Sequence, residues 1–96
     1  MNKRNSLFLM ANLGSEFSKI FSHLDERNSN FFIYAMKKAR SIIKELKSLP
    51  ETKNNQEIDI LESIIDDIDK NSRKYDVSKS QMNSYFYPFA TRMMQI

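Results

Sequence analysis

Apolar residues return along this chain at alternating steps of three and four, and four separate segments show the pattern. It is clearest between Ser29 and Leu49, where Phe32, Ala35, Ala39, Ile42, Leu46 and Leu49 form one seam and Met36 and Ile43 widen it. That spacing places the apolar side chains on one face of a helix. Asn28 and Ser29 are candidate N-caps, because a short polar side chain accepts from the free N–H groups of a first turn. Pro50 ends the segment, since it has no N–H to donate and disfavours helical geometry at Leu49. The opposite face carries Lys37, Lys38, Arg40, Lys44 and Lys47.

The spacing predicts a first helix from about Ser6 to Leu24, with Met10, Leu13, Phe17, Ile20 or Phe21, and Leu24 inside. Glu16, Lys19 and His23 are expected outside, and Asn5 or Ser6 caps the start. Gly14 costs about 1 kcal/mol against alanine in a helix interior, so a neighbouring helix is expected to pass close to it. Asp25 to Asn28 makes a polar turn short enough to imply an antiparallel pair. A loop over Glu51–Asn55 leads to a third helix, Gln56–Lys70, with Ile58, Leu61, Ile65 and Ile68 as its seam and Ile60 and Ile64 beside it.

After a polar connection over 71–76, the fourth segment opens on a capping box, Ser78 with Gln81, and a hydrophobic staple, Val77 with Met82. Met82, Tyr85, Phe86, Phe89, Ala90 and Met93 form its apolar face. Pro88 falls inside, where it removes a hydrogen bond and crowds the carbonyl of Ser84, so a kink or two pieces meeting near Tyr87 is expected. Four such elements with short connections predict one all-α domain over residues 1–96, an antiparallel up-down-up-down four-helix bundle.

Composition strengthens this picture. One glycine and two prolines in 96 residues leave few positions for hairpin turns, which need residues at positive φ. The 41% apolar and 28% charged residues suit a soluble globular chain. No cysteine is present, which removes disulfides and thiolate metal sites and favours a cytoplasmic location. Lys3 and Arg4 precede an apolar run, Leu7–Ala11, too short for a signal peptide, and no run approaches a membrane span.

Charge is divided by element. Residues 28–50 hold five cations and one acid, whereas residues 51–70 hold two cations and seven acids. Lys37, Arg40, Lys44 and Lys47 step by three, four and three into a ridge about 15 Å long. With Lys38 and a stacking Tyr34, this ridge is a candidate nucleic-acid interface. The competing expectation is a solvated face partly neutralised by the acidic third helix. Asp59, Glu62, Asp66 and Asp69 line one face there, yet the second half of the chain holds no histidine to complete a helical di-metal motif. The spacing also fails the calcium loop, which needs a glycine at its sharp turn.

No partner that would make His23 a general base can be named from its sequence neighbourhood. Small helical ribonucleases of the HEPN type share a bundle plan but carry an arginine a few residues before a histidine. Glu16, Phe17, Ser18 and Lys19 stand at that distance from His23 here, so only the architecture is similar. Phosphate-loop, dinucleotide and zinc-finger patterns are absent, and no catalytic residue, metal ligand or cofactor is expected.

Seven phenylalanines and four tyrosines exceed what one small core needs. Phe31, Tyr34, Tyr85 and Tyr87 are therefore expected to face outward, as interface aromatics do. Of the six methionines, Met82, Met93 and Met94 join the aromatics of the last helix, where they are expected to fill core gaps, the alternative being an adaptable binding surface. The expectation is a non-enzymatic interaction or regulatory module that binds a protein partner or itself, as a homodimer, with nucleic-acid binding as the alternative.

Overall fold

Each helix begins where a short polar side chain closes its first turn. In the computed structural model, which describes residues 5–71 and 77–94, α1 covers Ser6–Ser22 and α2 covers Asn30–Ser48. The third helix, α3, covers Gln56–Lys70, and α4 covers Lys79–Met94. Asn5 accepts from the Phe8 N–H at 2.8 Å, and Ser29 accepts from the Phe32 N–H at 3.1 Å. Asn55 does the same for Glu57 at 2.8 Å.

Ser78 and Gln81 form the expected box, with Gln81 N–H donating to Ser78 Oγ at 3.1 Å and Ser78 N–H to Gln81 Oε1 at 2.8 Å. At the other end of α3, Asn71 adopts the left-handed conformation, with φ 54°, that closes many helices. Lys3, Arg4, Gln95, Ile96, residues 72–76 of the expected connection, and the side chains of Met93 and Met94 lie outside the described residues.

The helices build an antiparallel four-helix bundle. Pairings that sum to a constant residue number fix the direction: Gly14 meets Phe86 while Lys79 reaches Ser22, and Glu16 meets Lys38 while His23 meets Phe31. The packing order runs α3, α2, α1, α4, and the backbones of α3 and α4 scarcely approach one another. Both inner helices pack on two sides, α2 on α1 and α3, and α1 more extensively on α2 and α4. Leu9, Leu13, Phe17 and Ile20 of α1 are wholly buried.

That double contact explains two departures from the spacing. Leu9 joins the core, and Glu16, expected outside, is only 4% exposed, because the buried arc of α1 is wider than a single seam. Gly14 fulfils its expectation. A Cβ added there would lie 2.7 Å from both Cβ and Cγ of Phe86. The Phe86 ring packs on Phe17 at 5.3 Å between centroids, and Tyr85 meets Phe86 edge-on at 4.9 Å. Pro88 does not break α4, which continues through it. Ser84 and Pro88 both lie on the exposed side, so the carbonyl that the missing N–H leaves free is open to solvent and the helix can tolerate the proline.

Candidate interaction surface

The five cations of α2 separate into three sets. Toward α3, Arg40 forks onto Asp66 Oδ1 at 2.8 Å and Asp69 Oδ2 at 3.1 Å. One heptad later Lys47 bonds Glu62 and lies 3.6 Å from Asp59. Partial burial works against the charge on Arg40, but the hydrogen bonds and charges of the two aspartates hold its pKa above the ordinary arginine value. Lys47 is likewise raised, first by its hydrogen bond to Glu62 and then by the two carboxylate charges, against a smaller desolvation effect.

Toward α1, Lys38 stands 3.4 Å from Oε2 of the buried Glu16, which Lys19 also approaches at 3.6 Å. The other oxygen, Glu16 Oε1, has no hydrogen-bond partner among the described residues. Of these five, only Lys37 and Lys44 face water without an ion pair to the described residues. The ridge of cations expected from the sequence is thus present as a helix face, but acids of this same chain engage Lys38, Arg40 and Lys47.

The aromatic candidates separate too. Phe31 is 73% exposed and Tyr34 63% exposed, and Ile33 between them is 46% exposed. Two of these side chains are braced. His23 stacks on Phe31 with 5.7 Å between ring centroids, and its Nδ1 lies 2.9 Å from Glu26 Oε1. The Lys38 ammonium sits 5.5 Å from the centre of the Tyr34 ring, a cation–π distance, and Glu16 holds that ammonium from below. Phe31 and Tyr34 therefore project from one place on α2 with their rings supported from behind.

Tyr87 is 70% exposed but belongs to α4, which packs on α1 and not on α2. Tyr85 departs from the outward expectation. It is half-buried, packs on Phe86 and Phe89, and donates its hydroxyl to Glu57. Burial raises its pKa, and the hydrogen bond to Glu57 and that carboxylate's charge raise it further.

Between α3 and α4 lies an open groove of 280 Å³, lined by Ile60, Leu61, Ile64, Val77 and Met82, with Glu57 and Tyr85 at one end and Gln81 on its wall. Ile60 there is 52% exposed. Ile60, expected with Ile64 to broaden the apolar seam of α3, instead faces outward while Ile64 is buried, and Ile33 was not singled out from the sequence. The available signal was an isoleucine off the main seam of an otherwise charged face.

No family model, curated protein or solved structure matches this chain. Among the described residues no three or more histidines, cysteines or carboxylates are grouped to hold a metal ion. Asp59, Glu62, Asp66 and Asp69 instead answer Arg40 and Lys47. No helix among the described residues is long and apolar enough to cross a membrane.

Proposed function

We propose that this chain is a non-enzymatic protein-interaction module, acting in the cytoplasm, that associates with further copies of itself through the N-terminal half of α2. The observation that carries this reading is the braced pair Phe31 and Tyr34 beside Ile33. Exposed aromatics contribute disproportionately to binding, and a ring already held in place loses less conformational freedom when a partner covers it. Large exposed apolar side chains grouped within one turn of a helix fit an interaction site. Nucleic-acid binding through Lys37, Lys38, Arg40, Lys44 and Lys47 has less support, because carboxylates already occupy three of the five.

Light scattering coupled to size exclusion tests the proposal over a concentration series at low and high salt. The wild type is expected to show a concentration-dependent oligomer. The Phe31→Ala/Tyr34→Ala double variant is expected to remain monomeric, with stability within about 0.5 kcal/mol of wild type per exposed position. A wild type that stays monomeric throughout overturns the proposal. Retardation of single-stranded nucleic acid that weakens steeply with salt and with Arg40→Ala would put the basic face first.

A further inference from the structure

The patch on α2 and the groove between α3 and α4 are complementary in length, polarity and charge. Within the patch, Phe31, Ile33 and Tyr34 occupy about one helical turn, and the unpaired Lys37 follows one turn later. The groove runs from Glu57 to Ile64 along α3, about 10 Å at 1.5 Å per residue, as does the patch from Phe31 to Lys37. Its floor is isoleucine, leucine, valine and methionine, and its charged end is a carboxylate.

We propose that the α3–α4 groove of one copy receives the α2 patch of a second copy, with Ile33 and Tyr34 over Ile60 and Ile64, Phe31 at the rim, and Lys37 beside Glu57. This rests on the self-association proposed above and assigns both of its surfaces. The contact joins unlike surfaces, so a residue of the patch never meets its own counterpart. Tyr85 keeps Glu57 in position by donating to one carboxylate oxygen, which leaves the other for a lysine.

A charge exchange in the full chain tests it. Lys37→Glu and Glu57→Lys are each expected to weaken association at least about tenfold, the scale of an interface contact worth over 1 kcal/mol. Mixing the two variants is expected to restore assembly, because each then offers the other a complementary pair on both surfaces. Ile60→Glu alters an exposed position and checks the groove without disturbing the Tyr85 contact. Circular dichroism on every variant confirms that the helices remain.

Wild-type association in Glu57→Lys and Ile60→Glu, together with its loss in the Phe31→Ala/Tyr34→Ala variant, overturns the groove while leaving self-association standing. A monomeric wild type overturns both.

Discussion

At Gly14 the absence of one carbon decides how close two helices come. Replacing an exposed helical glycine with alanine stabilises by about 1 kcal/mol, but here the new Cβ would sit 2.7 Å from Phe86. Overpacking of this kind costs about 1–3 kcal/mol, so Gly14→Ala is expected to lower the melting temperature. A rise would mean that α4 moves away freely. Phe86→Ala is expected to lose about 3–5 kcal/mol by chemical denaturation, as large-to-small changes in cores do.

Tyr85 gives a prediction in pH. An unfolded tyrosine releases its proton near pH 10, whereas the folded group holds it to higher pH. Above pH 10 the folded state therefore binds more protons than the unfolded one, and stability falls as pH rises. Tyr85→Phe is expected to flatten that fall in thermal melts, while behaving at neutral pH with the same slope as wild type. Gly14's role was legible in the sequence, since a lone glycine in a strong helical pattern needs a reason. The burial of Glu16 was not, because a three-four count assigns one face and α1 uses two.

Among the elements, α2 and α3 are joined by paired rows of charge. Arg40 and Lys47 are seven residues apart, and so are Asp59 and Asp66, and Glu62 and Asp69. Both rows were visible in the sequence as steps of three and four, and the short loop between them fixed the antiparallel direction. What the sequence lacked was the rotation of each helix, which decides whether a charge meets water or its opposite.

These pairs are half-exposed, so solvent screens them and each adds little to stability. Arg40→Ala is expected to cost under about 1 kcal/mol in denaturant melts at low salt, and still less at high salt. Arg27 acts differently. It donates to the Ile68 carbonyl and, at 3.3 Å, to Asn71 Oδ1, placing a cation at the C-terminus of α3 where the helix dipole favours one. Its guanidinium also lies 5.5 Å from the Phe32 ring centre. Arg27→Ala is expected to cost about 1.5–3 kcal/mol, the range for hydrogen bonds to charged groups, and to speed amide exchange in the last turn of α3.

For the whole molecule, the periodicity was enough to place four helices within a residue or two and to arrange them as a bundle. The seams are long, the caps are chemically distinct, and the connections between the first three helices are short. The packing order was less legible. The strongest seam belongs to α2, yet α1 lies between α2 and α4, because Gly14 and the aromatic face of α4 create a second contact that no local pattern announces. Phe31 and Tyr34 were legible as surplus aromatics. Lys38 braces Tyr34 from four residues on in the same helix, whereas the stacking of His23 on Phe31 depends on how the turn after α1 folds.

The placement of α4 against α1 also sets a condition on synthesis. The first two hairpins form between neighbours in sequence, but the contact of Gly14 and Phe17 with Phe86 joins residues some seventy positions apart. As the chain emerges from its N-terminus, α1 can pair with α2 early, while its other apolar flank stays bare until α4 has been made. Such transiently uncovered surface is prone to aggregate. A nascent chain stalled before α4 would carry that flank as a ready ligand for a holding chaperone.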